Sequence, residues 1–104
     1  MKLCINVLVQ FLSEDEGGRK SLLYLNGYRP HFRVIGDTEY LGIQFIEGTD
    51  KIINPKEWIS SKVYLIYYPN VSYEKLRIGK EFEILEGAKI VGIGTVISPV
   101  TIEE

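Results

Sequence analysis

Arg29, His31 and Arg33 stand two residues apart, so in an extended strand all three side chains leave the same face. With Arg19 and Lys20 upstream they make a candidate basic patch, whose chemistry is contact with phosphate or with an acidic partner. The competing reading is a solvated face whose arginines pair with Glu14, Asp15 or Glu16, since surface charges are common and usually contribute little. The chain has one histidine, His31, and one cysteine, Cys4, too few for a His/Cys zinc cluster. A Cys4–His31 dyad stays open from sequence alone, but Cys4 carries no special local motif and reads as a half-buried structural thiol. Glu81 and Glu83 share a strand face, with nothing apolar to raise either pKa, and read as solvated.

Nucleotide chemistry finds no support. No GxxxxGK loop is present in the sequence. Gly92-Ile93-Gly94 opens like a dinucleotide fingerprint, yet the sixth position is Ile97 and no helical pattern follows. Two glycines inside a strand pattern predict close packing at a barrel corner instead. The expectation is a binding protein, not an enzyme, with no catalytic residue, cofactor or metal.

The elements that position these residues are strands. Leu3, Ile5, Val7, Val9 and Phe11 alternate with their neighbours and give one fully apolar face. A charged segment from Ser13 to Lys20 carries a Gly17-Gly18 turn signal. A second strand is predicted over Gly27 to Ile35, with Pro30 placed at an edge or bulge because it cannot donate to a ladder. A third runs from Tyr40 to Ile46. Asn54-Pro55 marks a break, and Lys62 to Tyr68 reads as a fourth strand. Leu76 to Leu85 and Ile90 to Val96 follow, joined at Glu86-Gly87-Ala88-Lys89, so residues 79–97 predict a tight hairpin. No stretch has helical periodicity. The fold class is all-β, a small barrel or sandwich in one domain over residues 1–104.

Composition narrows the partners. The net charge is −2 and the isoelectric point about 5.5, whereas dedicated nucleic-acid binders are strongly basic. Any RNA contact must come from a local patch. The opening MKLCINVLVQFL is interrupted by Asn6 and Gln10 and is followed by acidic residues rather than a cleavage site, so it reads as a strand and not a signal peptide. No segment approaches a membrane span. No membrane or nucleotide partner is expected, and the expected location is cytoplasmic.

Four segments in order carry a family resemblance: LSEDEGGR (12–19), NGYRPHF (26–32), GKEFEILEG (79–87) and VGIGTV (91–96). Together they resemble the C-terminal, third domain of elongation factor Tu, across roughly residues 5–98. The resemblance implies a closed six-stranded antiparallel barrel of Greek-key type. It also implies a surface that in the family touches the T-stem of aminoacyl-tRNA, the GTPase domain and the exchange factor. Arg19 matches the arginine of E-G-G-R, Arg29 that of G-Y-R-P, and Glu86 with Gly87 the E-G of R-E-G. The departures matter. Leu85 and Ile35 replace family arginines, His31 replaces a glutamine, Ala88-Lys89 replaces G-R, and Pro55-Lys56-Glu57 replaces P-G-D. Two lost arginines weaken retained tRNA binding, since phosphate contacts are roughly additive in charge. The 104 residues hold no counterpart of the GTPase and second domains.

The expectation is therefore a stand-alone third-domain-like module that docks on a protein, with weak tRNA contact as the lesser reading. Its candidate contact residues are Arg19, Lys20, Arg29, His31, Arg33, Glu86, Gly87 and Lys89. The alternative is an immunity-type or antagonist protein imitating the elongation factor surface, which suits a small acidic domain.

Overall fold

A computed structural model describes residues 2–19, 24–46 and 52–103. Seven strands carry the fold: β1 (Lys2–Phe11), β2 (His31–Val34), β3 (Leu41–Phe45), β4 (Trp58–Leu65), β5 (Glu81–Glu86), β6 (Lys89–Val96) and β7 (Thr101–Glu103). The order β4-β3-β2-β5-β6-β1 closes on itself through a β1–β4 pairing, giving a six-stranded antiparallel barrel. Closure removes the edges that would otherwise template aggregation. From β1 the chain crosses one end of the barrel to β2, then β2, β3 and β4 meander back to lie beside β1, a Greek-key path.

The alternation in β1 sets the interior. Ile5, Val7, Val9 and Phe11 are buried with Phe32, Ile43, Phe45, Val63, Phe82, Ile84 and Val91 in one cluster. Phe32 stacks on Phe82 with ring centroids 4.0 Å apart. Gly92 and Gly94 serve packing, as their strand context predicts. A Cβ on Gly94 would stand 2.5 Å from the Phe82 ring and 2.8 Å from the Leu8 carbonyl oxygen, so only glycine lets β6 approach β1 there.

Several predicted boundaries shift. The regular part of β2 begins at His31, not Gly27, yet Phe45 and Ile43 donate backbone N–H groups to the carbonyls of Tyr28 and Pro30. Pro30 is thus buried beside β3 rather than at an edge; its carbonyl accepts, and the N–H it lacks is not needed. β4 starts at Trp58 and stops at Leu65, four residues earlier at its start and three at its end than the Lys62 to Tyr68 strand expected after the Asn54-Pro55 break. Ile59 pairs with Val9, and Tyr67 and Tyr68 belong to a turn that enters a cis Tyr68–Pro69 bond. Leu76 and Ile78 lie outside β5, because Gly79 at φ 88° ends a succession of turns just before it. The 79–97 hairpin forms as predicted, with Gly79 donating to Val96 and Val96 to Lys80.

The strand β7 is additional to the predicted set. It pairs with Lys2–Cys4 of β1, beyond the point where β6 leaves that side of the strand. Cys4, on the outward face of β1, is fully buried there, which raises its thiol pKa. No helix among the described residues is long and apolar enough to cross a membrane.

Candidate functional site

The strand registers divide the barrel into two ends. One end gathers the described residues of 12–19 and 24–30, the 52–57 segment and the β5–β6 turn; we call it the motif end. The other gathers the 35–40, 66–80 and 97–100 connections; we call it the groove end.

At the motif end, each residue of the E-G-G-R segment has a local reason. Ser13 donates its backbone N–H and its hydroxyl to the Glu16 carboxylate, both at 3.1 Å, around a 3-10 turn at Glu14–Glu16. The backbone bond from Ser13, followed by the Lys56 ammonium at 3.1 Å, holds the Glu16 carboxyl below its ordinary range. Gly17 closes the turn at φ 89°. A Cβ on Gly18 would stand 2.3 Å from the Leu12 carbonyl oxygen, so no side chain fits. The chain then delivers Arg19 to Glu86, 2.8 Å away on the end of β5.

Tyr28 joins that pair. Its hydroxyl donates to Glu86 at 2.5 Å, and the Arg19 guanidinium lies 5.2 Å from the centre of its ring. Burial, then the Glu86 carboxylate, pushes the phenol well above its ordinary pKa. Residues from three separate sequence segments thus meet in one ion-pair and aromatic cluster. The sequence reading named Arg19 and Glu86 but missed Tyr28, whose signal was its place in G-Y-R-P. Gly87 sits in the β5–β6 turn at φ 60°, and Lys89 is exposed opposite Glu86 in the register.

On the wall between the ends, burial alternates as the spacing of two predicts. Pro30 and Phe32 are buried, whereas Arg29 is exposed and His31 and Arg33 are half-buried on the outside. Arg33 pairs with Glu83 across the β2–β5 ladder at 2.9 Å and lies 5.5 Å from the centre of the Tyr40 ring. His31 contacts the same ring, with centroids 5.8 Å apart. Arg19 and Arg33 are therefore paired, with Glu86 and Glu83, and not with the Glu14, Asp15 or Glu16 that the sequence offered. Glu83 is half-buried against Arg33, while Glu81 remains exposed. Arg29 and Lys89 have no carboxylate partner among the described residues. Lys20 lies outside the described residues. Leu85 is fully buried; a bulge between Ile84 and Leu85 interrupts the alternation so that both are buried. Ile35 is exposed.

The Cys4–His31 dyad does not form. β1 and β2 face each other across the six-stranded ring, and His31 is half-buried on the outside while Cys4, fully buried, pairs with Thr101 of β7. Among the described residues no three His, Cys, Asp or Glu side chains come together in a group that could hold a metal ion.

The groove end was not anticipated. An open apolar groove of about 690 Å³ runs between the 66–80 connection and residues 98–100. Leu65, Tyr73 and Leu76 are buried along it, while Tyr68, Ile78 and Val100 are 49%, 60% and 49% exposed. Arg77 lines both this groove and a neighbouring hollow that includes Lys75 and Lys80. The signal available in the sequence was the apolar residues Leu76 and Ile78, which the strand reading absorbed. No family model matches the chain.

Proposed function

We propose that this chain is a binding module, similar to the third domain of elongation factor Tu, that docks on a protein partner. The observation that carries the reading is the cluster of Arg19, Tyr28 and Glu86, supplied by three segments of the resemblance, which packs on the core through Tyr28 and fixes the surface from which Arg29 and Lys89 project. A rigid surface of alternating charge and ring faces suits protein recognition, because little side-chain freedom is lost on docking. RNA is the weaker reading. Arg19 and Arg33 already hold carboxylates, and a phosphate would have to displace Glu86 or Glu83. Among the described residues, Arg29 and Lys89 are exposed cations at this surface without a carboxylate partner.

The test is capture from the native cell extract on the immobilised full chain, with wild type beside an Arg29→Glu, Lys89→Glu variant. One protein retained by the wild type and lost by the variant is the expected result. Recovery of tRNA in place of protein would overturn the protein reading, and nothing above background would overturn docking at this surface.

A further inference from the structure

At the groove end, exposed apolar surface lies beside cations that have no carboxylate partner among the described residues. Its walls are fixed from within. The Tyr73 hydroxyl donates to the Gly42 carbonyl at 2.7 Å and accepts from the Tyr67 N–H at 3.0 Å, fastening the 66–80 connection to β3. Leu76 is buried beneath the same segment. A preformed groove loses little freedom on binding. Its exposed rims, Tyr68, Ile78 and Val100, present apolar surface that the fold itself does not cover.

The charges beside the groove are unequal. Lys75 is held by Asp37 at 2.8 Å and by Glu39 at 3.5 Å. Arg77 and Lys80 have no carboxylate partner among the described residues, and Glu74 is the one carboxylate lining the groove. Arg77 borders both the apolar groove and the neighbouring hollow, where Lys75, Lys80 and the Lys75-bound Asp37 also lie. We infer that this groove takes a peptide segment of a partner protein whose apolar side chains are followed by carboxylates. The apolar side chains lie against Tyr68, Ile78 and Val100, and the carboxylates meet Arg77 and Lys80. A nucleic acid matches this surface poorly, since an apolar channel offers nothing to phosphates and two free cations neutralise few of them. The inference rests on the reading that the chain is a protein-binding module and adds a second contact of stated chemistry.

The test is amide chemical-shift mapping on the isotope-labelled full chain, with the synthetic peptide Leu-Leu-Leu-Asp-Asp-Asp as probe. Shifts confined to residues 68–80 and 98–100 are expected. Affinity should fall roughly tenfold for Arg77→Glu, the effect of losing one well-placed charge contact, and similarly for the same peptide with asparagine replacing aspartate. Ile78→Ser should weaken binding independently of charge. Unchanged amide spectra away from the substituted residue verify that each variant folds. Shifts at the motif end, no shifts at all, or equal affinity for a Leu-Leu-Leu-Lys-Lys-Lys peptide would overturn the inference. So would concentration-dependent shifts of the groove residues without peptide, which would place a second copy of the chain there. Capture that depends on Arg29 and Lys89 alongside a failed peptide titration would leave the module reading standing and remove only the groove.

Discussion

The two ends of the barrel surround their open cations differently: Arg29 and Lys89 at the motif end stand beside an internally paired cluster, Arg77 and Lys80 at the groove end beside exposed apolar surface. At the motif end Arg19, Glu86, Glu16 and Lys56 are each bound to a partner within the same chain, and Tyr28 closes the cluster. At the groove end Lys75 is held, while Arg77 and Lys80, without a carboxylate partner among the described residues, stand beside exposed apolar surface. The difference separates two uses of polar residues. A side chain whose hydrogen bonds are satisfied internally shapes and stabilises the domain, and one whose bonds are open is available to a partner. A motif is thus most legible where it is structural, and a binding surface can form where no motif signals it.

This comparison breaks first on sterics. Gly18→Ala places a methyl group against the Leu12 carbonyl and should lower the unfolding free energy by about 1–3 kcal/mol, as overpacking does. Ile78→Ser at the groove end should change it by less than about 0.5 kcal/mol, since that side chain is 60% exposed. Urea unfolding of the two variants measures both. Equal losses would mean that Ile78 belongs to the fold and not to a free surface.

A smaller effect is expected from Tyr28→Phe, which removes the hydroxyl donated to Glu86. The loss should be about 1 kcal/mol. A double-mutant cycle with Glu86→Gln should give a coupling of at least about 0.5 kcal/mol, because the two groups touch. Additive losses would show that the cluster is not a unit.

The smallest effect sharpens the groove end. Hydrogen bonding to the Lys75 ammonium, helped by the backbone N–H groups of Glu39 and Thr38, holds the Asp37 carboxyl down to about 2, against an ordinary 3.8. With its folded pKa depressed, the carboxylate stabilises the domain above the ordinary value, and that contribution disappears as pH falls through the folded one. The Asp37→Asn variant should therefore lose less stability than wild type between pH 3.8 and 2. Identical acid profiles would mean that Lys75 is no more engaged than Arg77.

Much of the barrel could be read in the sequence because period-two alternation is a local signal. The apolar face of β1, the 79–97 hairpin and the outward spacing of His31 and Arg33 all follow from it. What could not be read depends on long-range pairing. Trp58 to Ser61 join β4 only because β1 lies opposite, and Thr101–Glu103 become a strand only against Lys2–Cys4. The pairing of Arg19 with Glu86 crosses most of the chain, so sequence neighbours such as Glu14 offered a nearer and mistaken partner. Leu76 was legible as buried but not as a loop residue, since turns anchored by Tyr73 leave no periodic trace.

Equilibrium urea unfolding of Arg19→Ala beside Arg77→Ala tests the contrast between the ends most directly. Arg19→Ala should lose about 1–2 kcal/mol, combining a partly buried ion pair with its contact to the Tyr28 ring. Arg77→Ala should stay within about 0.5 kcal/mol of wild type. A loss at Arg77 that matches or exceeds the loss at Arg19 would contradict the account.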